Sequence, residues 1–295
     1  MSTETFTPLP EMIRALAEAT PEKIALIQDE RQLSYGDLDK VMDRVAAALQ
    51  REGVKPAESV AICAGTSIEY ACAFLGALRA GVAVAPIAPS STADSIVEMV
   101  ADCGARVFFL DKSVGDALGQ RLGAIKARLV GLDDGAPGTR HDQFIAPAGA
   151  KPGPVTITEE MPFNIIYSSG TTGTPKGIVQ SFGMRFGHVA RAVAMGYGPG
   201  AVTLLSTPLY SNTTLVSFFP TMGLGGTAVL MKKFDAAQYL ALAQKHHATH
   251  TMLVPVQYSR LMAREDFDSY DLSSFVMKFC TSAPFSAALK SDVLK

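Results

Sequence analysis

Short apolar runs alternate with longer amphipathic segments along most of the chain. Ser59–Cys63, Val82–Pro86 and Arg106–Leu110 each have the length and apolar content of a buried strand, and they are separated by predicted helices at Ser67–Ala80 and Thr92–Asp102. Strands that alternate with helices build a parallel sheet whose two faces are covered by those helices. The sequence therefore predicts an α/β fold with a doubly wound sheet.

The same alternation extends to both sides of this region. A helix is predicted at Leu9–Glu18 and a strand at Ile24–Ile27, and Ser34-Tyr35-Gly36-Asp37 resembles a capping box that opens the next helix. Further strands are predicted at Phe163–Tyr167, Ala201–Ser206, Thr227–Met231 and Thr249–Pro255, and further helices at Gln180–Met195, Val216–Met222, Ala236–His246 and Gln257–Ala263. The Gly- and Pro-rich stretch Gly131–Pro154 predicts a surface connection that separates two structural regions.

Composition excludes several classes of partner and location. With 295 residues, 48% of them apolar, the chain can bury a large core, and a net charge of -2 does not favour nucleic acid or anionic lipid. The four cysteines form no C-x-x-C pair, the start lacks a secretion signal, and no run is long and apolar enough to span a membrane. These features predict a cytoplasmic protein.

The segment Ser168–Gly177, SSGTTGTPKG, is the strongest functional signal. It follows a predicted strand and combines three glycines, five hydroxyl side chains and Lys176. Glycine allows backbone N–H groups to turn toward an anion, while hydroxyls and a lysine add donors and positive charge. We interpret the segment as a loop that binds a polyphosphate; an ordinary Gly/Ser/Thr-rich surface loop is the structural alternative.

A Walker-type phosphate loop does not fit this segment. Counting from Gly170 in the pattern G-x-x-x-x-G-K-[ST], Pro175 occupies the second glycine position and Gly177 replaces the hydroxyl residue. Proline has no N–H to donate and glycine has no hydroxyl for magnesium. The loop must bind phosphate in another way.

The string YSSGTTGTPKG at Tyr167–Gly177 resembles the signature of the adenylate-forming ligases, the AMP-dependent synthetase/ligase superfamily, in its acyl-CoA synthetase type. Weaker matching segments occur in the family's order along nearly the whole chain: Leu33–Leu38, Pro208-Leu209-Tyr210, Thr249-His250, Val254-Pro255 and Ala283-Pro284-Phe285. The resemblance implies stacked doubly wound sheets. It implies that residues 1–295 form an incomplete large N-terminal domain with interleaved α/β subdomains, without the C-terminal lid domain.

By resemblance, the functional residues fall into groups. Thr172 and Lys176 would be catalytic, and the nucleotide would be held by Ser168, Ser169, Gly170, Thr171, Thr172, Gly173 and Lys176, with Ser282, Ala283 and Pro284 beside the adenine. The acid would be bound by Tyr210, Ser211, Thr214 and Thr281. Ser211 stands where relatives usually carry histidine, Thr214 where they often carry glycine, and Thr281-Ser282 where small glycine or alanine residues are common. A purely structural role for these acid-site positions remains open.

The resemblance further implies ATP-dependent activation of a carboxylate to an acyl-adenylate, followed by thioester formation with coenzyme A; Mg2+ would accompany the ATP. We expect a fatty acid as substrate. The alternatives are a hydroxycinnamate-like aromatic acid and a non-catalytic nucleotide-binding fragment. The family's magnesium-linked glutamate, ribose-binding aspartate and adenylation lysine are not found in these residues. We therefore expect this chain alone to be inactive or nearly so, and a homodimer is possible.

His246, His247 and His250 suggest a metal site because His246 and His250 are four residues apart. The zinc-protease pattern requires Glu at the position of His247, and no third ligand is evident. We predict no metal site here, and expect His250 to be a packed or hydrogen-bonded residue.

Overall fold

The computed structural model describes residues 5–168, 175–281 and 290–291. Its helices are α1 (Leu9–Ala19), α2 (Tyr35–Arg51), α3 (Ile68–Arg79), α4 (Ala93–Asp102), α5 (Lys112–Leu118), α6 (His141–Phe144), α7 (Phe182–Ala192), α8 (Asn212–Gly223), α9 (Ala236–Lys245) and α10 (Pro255–Met262). Within these ranges, no helix combines the length and apolar character that a membrane span requires.

The strands are β1 (Ile24–Gln28), β2 (Arg31–Ser34), β3 (Ser59–Cys63), β4 (Ala83–Pro86), β5 (Val107–Leu110), β6 (Arg128–Gly131), β7 (Thr139–Arg140), β8 (Pro162–Ser168), β9 (Lys176–Ser181), β10 (Val202–Leu205), β11 (Thr227–Leu230), β12 (His250–Leu253) and β13 (Met277–Cys280). They form a first sheet in the order β13-β12-β10-β11-β1-β2 and a second in the order β7-β6-β5-β3-β4-β8-β9. Pairing is parallel except at the edge hairpins β1–β2 and β8–β9.

The largest apolar cluster lies between the two sheets. It contains residues of α1, α2, α3 and α8 together with one face of each sheet, for example Leu26 and Leu230 from the first and Ile62 and Phe109 from the second. The outer face of the first sheet packs on α9 and α10, and that of the second on α4 and α5. The predicted doubly wound α/β architecture is confirmed, as two sheets that share a central layer of helices.

Helix α3 shows why this central layer needs small residues. Every residue of α3 except Glu69 is buried, because the helix has neighbours on nearly all sides. A Cβ added to Gly76 would lie 2.4 Å from the Cβ of Val45 on α2, closer than two carbon atoms can approach. Glycine at this position therefore allows the two helices to pack directly against each other.

The segment Gly131–Pro154 does not separate two regions as predicted. The strands on either side of it, β6 and β8, belong to the same sheet. Part of the segment is also structured, since it contains β7 and α6 and buries Phe144 completely. Glycine and proline mark its turns correctly, but they do not reveal that the chain returns to the same sheet.

Most predicted elements are confirmed to within about two residues, but α8 begins four residues before the predicted Val216, and the segment Gln180–Met195 also differs. The helix begins at Phe182, because Gln180 and Ser181 still pair with β8. Ser181 is the N-cap, and its hydroxyl accepts a hydrogen bond from the N–H of Met184 at 3.2 Å. The edge strands β9 and β13 were not predicted, since neither has a regular apolar pattern.

The predicted start of α2 is confirmed. Ser34 caps the helix by accepting the N–H of Asp37 at 3.1 Å. The carboxylate of Asp37 pairs with Lys40 at 2.9 Å. Next in the chain, the hydroxyl of Tyr35 is buried and donates to the carbonyl of Gly226 at 2.8 Å, which ties α2 to the first sheet.

A buried ion cluster joins α1, α2 and α3. The carboxylate of Asp43, fully buried on α2, contacts Arg79 Nη1 at 2.9 Å and Lys151 Nζ at 2.6 Å, and it also pairs with Arg14. Arg79 is itself buried and lies 2.6 Å from Asp39. Burial by itself would raise the pKa of Asp43, but Lys151 and Arg79 outweigh burial and lower it. We call these residues the Asp43 cluster.

Candidate active site

The phosphate-loop segment lies at the tip of the β8–β9 hairpin. Ser168, the last residue of β8, faces Lys176, the first residue of β9, so the two ends of the loop are directly opposed. Loop residues Ser169, Gly170, Thr171, Thr172 and Gly173 lie outside the described residues, as do Ser282, Ala283 and Pro284. Because β8 runs parallel to β4, the two ends of the loop, Ser168 and Lys176, lie at the carboxyl edge of the second sheet, where open α/β sheets bind ligands.

Tyr167 and Gly177 fix the end of the hairpin next to the loop. The hydroxyl of Tyr167 reaches the end of α4, where it lies 3.1 Å from the carbonyl of Met99 and 2.5 Å from a carboxylate oxygen of Asp102. Burial raises the pKa of Tyr167, and the hydrogen bond with Asp102 adds to this effect. A Cβ at Gly177 would lie 2.9 Å from Ile165, so this glycine is required for strand packing. Lys176 is exposed beside the loop.

Behind the hairpin, Arg185 on α7 is completely buried among neutral partners. Its Nε donates to Asn164 Oδ1 at 2.9 Å, and its Nη2 donates to Gln180 and to Asn212 Oδ1 at 2.7 Å. Asn164 also donates to Gln180 at 3.0 Å. Burial lowers the pKa of Arg185 to about 10. We call these four residues the Arg185 cluster.

The segment predicted to bind the acid follows β10 at the carboxyl edge of the first sheet. Tyr210 and Ser211 are half-buried, and Ser211 precedes α8 without capping it through its side chain. Thr214 is fully buried, and its hydroxyl donates to that of Thr207 at 2.7 Å. Thr281 follows β13 at the same edge, and its N–H donates to the carbonyl of Leu253 at 3.2 Å. The fold thus brings Tyr210, Ser211 and Thr281 to one edge of this sheet.

A cavity of about 220 Å³ lies beside this segment, between α7, α8 and the first sheet. The sequence did not point to it. Met252 and Phe279, which are register partners on adjacent strands, form its floor. Its complete lining is His188, Arg191, Ala192, Met195, Tyr197, Val216, Met252 and Phe279. The sequence pattern that could have indicated the cavity is the helical spacing of residues 188, 191, 192 and 195. That spacing does not distinguish the wall of a cavity from an ordinary buried helix face.

Three polar side chains, those of Tyr197, Ser217 and His188, lie in or beside this cavity. The hydroxyls of Tyr197 and Ser217 are buried, and neither completes a hydrogen bond within the described residues. Burial raises the pKa of Tyr197, and the nearby Ser217 hydroxyl partly offsets this. Burial lowers the pKa of His188, and the charges of Arg185 and Arg191 lower it further. A buried polar group without a partner is costly, which is why such groups often mark ligand sites.

His250 does not act as a metal ligand in this arrangement. Its Nδ1 lies 2.7 Å from the hydroxyl of Thr249, its Nε2 lies 3.0 Å from the carbonyl of Met195, and its ring packs on that of Tyr197. This confirms the prediction of a packed, hydrogen-bonded histidine. In the part of the chain that the structure describes, no group of three or more His, Cys, Asp or Glu side chains is placed to share a metal ion.

Comparison with known proteins decides the family. Residues 13–295 match the model of the family described as AMP-binding enzyme. The chain belongs to this family of adenylate-forming ligases. It is 30% identical to 4-coumarate–CoA ligase 5 of Oryza sativa subsp. japonica over 88% of its own length and 49% of that enzyme. It is 32% identical to phosphinothricin tripeptide synthetase PhsB of Streptomyces viridochromogenes over 79% of its own length and 19% of that protein.

Solved structures agree on the fold of this AMP-binding chain. The N-terminal domain of FACL13 from Mycobacterium tuberculosis, bound to an inhibitor, superposes with a TM-score of 0.85 at 21% identity, over 97% of this chain and 73% of that one. A long-chain-fatty-acid–CoA ligase, FadD1, from Archaeoglobus fulgidus gives 0.87 at 20% identity, over 98% and 60%. The predicted stacked-sheet fold of the N-terminal domain is therefore confirmed. The chain spans about half the length of the CoA ligase with which it was compared.

Proposed function

We propose that this chain supplies the ATP- and acid-binding part of an AMP-forming acid–thiol ligase. In the first step, the carboxylate of the acid attacks the α-phosphorus of ATP, which forms an acyl-adenylate and releases pyrophosphate. In the second step, the thiol of coenzyme A attacks the acyl carbon and AMP leaves. The observation that carries this proposal is the opposition of Ser168 and Lys176 across a hairpin whose tip has the family's phosphate-binding sequence.

The proposed roles follow from the chemistry of a polyphosphate. The side chains of Ser168, Thr171, Thr172 and Lys176 hold the β- and γ-phosphates, while Ser169, Gly170 and Gly173 let the backbone approach them. In such reactions the protein contributes mainly positioning and neutralisation of charge. Mg2+ is proposed to enter with ATP and to share the negative charge of the phosphates. Ser282, Ala283 and Pro284 are proposed to lie beside the adenine.

Tyr210, Ser211, Thr214 and Thr281 are proposed to shape the site for the acid. Tyr210, Ser211 and Thr281 are half-buried at the edge of the sheet, where a bound acid could reach their side chains. Thr214 is hydrogen-bonded to Thr207 and completely buried, so its role would be to set the shape of the wall. A fatty acid remains the first candidate substrate.

The cavity favours the second candidate, an aromatic acid. An apolar cavity of about 150 Å³ is large enough to bind benzene, so the 220 Å³ found here suits one ring with a short side arm. The buried hydroxyl of Tyr197, which lines the cavity, could receive a polar substituent on that ring. Among the relatives, the 4-coumarate–CoA ligase and an indoleacetate–CoA ligase of Aromatoleum aromaticum have aromatic acids in their names, the latter at 30% identity over 91% of this chain and 54% of that enzyme.

Nucleotide binding is testable on the chain itself by titration calorimetry with ATP and Mg2+. We expect saturable binding that Lys176→Ala and Thr172→Val each weaken by about tenfold, because each change removes a contact of about 1.4 kcal/mol to the phosphates. Unchanged affinity in both variants would exclude the loop from nucleotide binding. A variant at an exposed lysine that precedes β6, Lys126→Ala, serves as the control.

Catalysis and substrate class require a second measurement, CoA-dependent AMP release with a panel of acids. It is made on the chain together with any sequence that follows it in its gene. Turnover of hexanoate and octanoate supports the first candidate, and turnover of 4-coumarate and indoleacetate supports the second. ATP binding without turnover of any acid in the panel would instead favour a non-catalytic nucleotide-binding role.

A further inference from the structure

The Arg185 cluster joins three segments that are distant in sequence. Asn164 lies in β8 and Gln180 in β9, so the guanidinium donates hydrogen bonds to both strands that flank residues 169–174. Its third partner, Asn212, is the first residue of α8 and follows Tyr210 and Ser211 directly. One side chain therefore connects the hairpin of the nucleotide loop to the segment proposed to bind the acid.

The charge of Arg185 is not explained by a counter-ion. Burial is the cause that lowers its pKa, and among residues 5–168, 175–281 and 290–291 no carboxylate forms an ion pair with it. Its Nη1 is buried without a hydrogen-bond partner in the same ranges. A charged group buried in this way costs several kcal/mol unless other interactions compensate.

Two aromatic rings also contact the guanidinium. It lies 5.2 Å from the ring centre of Phe219 and 6.0 Å from that of Phe163, within the range of a cation–π interaction, which offsets part of the cost of burying the charge. A lysine could make that interaction as well, but the fixed fork of an arginine also donates to three amide oxygens at once. The contacts to Asn164, Gln180 and Asn212 are thus the interactions that need an arginine.

We propose that Arg185 is a positioning residue that couples the nucleotide hairpin to the start of α8. Ser168 lies four positions after Asn164 along an extended strand, a span of about 13 Å, so Arg185 acts through the strands and does not touch the nucleotide. When ATP binds to residues 169–174, the guanidinium transmits the effect of binding from β8 and β9 to Asn212 and to the segment before it. This inference rests on the proposed function only in requiring that residues 169–174 bind ATP.

Hydrogen exchange followed by mass spectrometry tests the coupling on the chain itself, with ATP and Mg2+ as the probe. With saturating ATP, we expect exchange to slow by about fivefold both in β8–β9 and in the first turns of α8. In Arg185→Met the hairpin keeps its ATP-dependent protection, while α8 loses it. Asn212→Ala, which cuts only the link to α8, gives the same pattern with less disturbance of the core.

Arg121→Met is the matched control, since Arg121 is 61% exposed and pairs with Asp94 at the surface. It should leave both responses unchanged. ATP-dependent protection of α8 that persists in Arg185→Met and Asn212→Ala would overturn the coupling, as would an α8 that never responds to ATP. Failure of the chain to bind ATP would instead reject the proposed function, and the coupling with it, and calorimetry detects this separately.

Discussion

The chain contains two buried arginines in opposite electrostatic settings. Arg79, in the Asp43 cluster, faces two carboxylates, those of Asp39 and Asp43. Arg185, in its own cluster, has amide oxygens as its hydrogen-bond partners within the described residues. The first arrangement compensates charge with charge and joins three helices of the central layer. The second surrounds a positive charge with amide oxygens and aromatic rings, without a carboxylate among the described residues.

The two buried arginines are expected to have different roles, one in stability and one in coupling between segments. Removing one member of a buried ion pair leaves the other charge uncompensated, so the Asp43 cluster should matter chiefly for stability. Removing Arg185 leaves neutral acceptors and also removes a charge that was costly to bury. The Arg185 cluster should therefore matter less for stability and more for communication between segments.

The largest effect is expected from Arg79→Met. The substitution leaves the buried carboxylate of Asp43 with Arg14 and Lys151, whose side chains are 39% and 65% exposed. We expect the free energy of unfolding to fall by about 3–5 kcal/mol, measured by urea denaturation. A loss below about 1 kcal/mol would show that the exposed cations compensate Asp43 without Arg79.

A smaller effect, with a distinctive pH dependence, is expected from Asp43→Asn. The pKa of Asp43 is lower in the folded protein than in the unfolded chain, where it is about 3.9. The contribution of Asp43 to the free energy of unfolding is therefore complete above pH of about 3.9, and it is lost as the pH falls through the pKa of the folded protein. We expect the variant to be less stable by about 2–3 kcal/mol at pH 7. Urea denaturation at a series of pH values measures this difference in free energy of unfolding. It should become smaller below pH of about 4. A difference that stays constant from neutral to acid pH would contradict the ion-pair role.

Arg185→Met should reduce the free energy of unfolding by only about 1–2 kcal/mol. It leaves the amide oxygens of Asn164 and Asn212 without their donor, but it relieves the burial of an unpaired charge. Urea denaturation of Arg185→Met and Arg79→Met at pH 7 compares the two losses in free energy of unfolding directly. A loss as large as that of Arg79→Met would remove the distinction between the two clusters.

The smallest effect is expected from Arg121→Met, within about 0.5 kcal/mol of the unmodified chain. Arg121 and Asp94 are both more than 60% exposed, and exposed ion pairs contribute little. The same denaturation series measures it. A larger change would mean that arginine-to-methionine substitution disturbs this protein irrespective of burial, and the other two results would need to be corrected for it.

The sequence predicted a large part of the fold because local patterns are strong here. A five-residue apolar run between helical segments, such as Ser59–Cys63, favours a buried strand, and the prediction of β3 is correct to the residue. The edge strand β9 was missed because its residues are mostly exposed and its first two residues, Lys176 and Gly177, belong to the loop motif. The sequence also did not predict that the strands on either side of Gly131–Pro154 belong to one sheet. Local composition does not specify which sheet the chain rejoins after a connection.

The sequence by itself determined the α/β class and, through the string at Tyr167–Gly177, the family to which the chain belongs. Both are encoded locally, in periodicity and in a contiguous motif. Only the tertiary structure decided that Arg185 spans two strands and a helix, or that residues from α7, α8, β12 and β13 enclose one cavity. Such contacts join residues far apart in the chain, and they depend on how the two sheets stack.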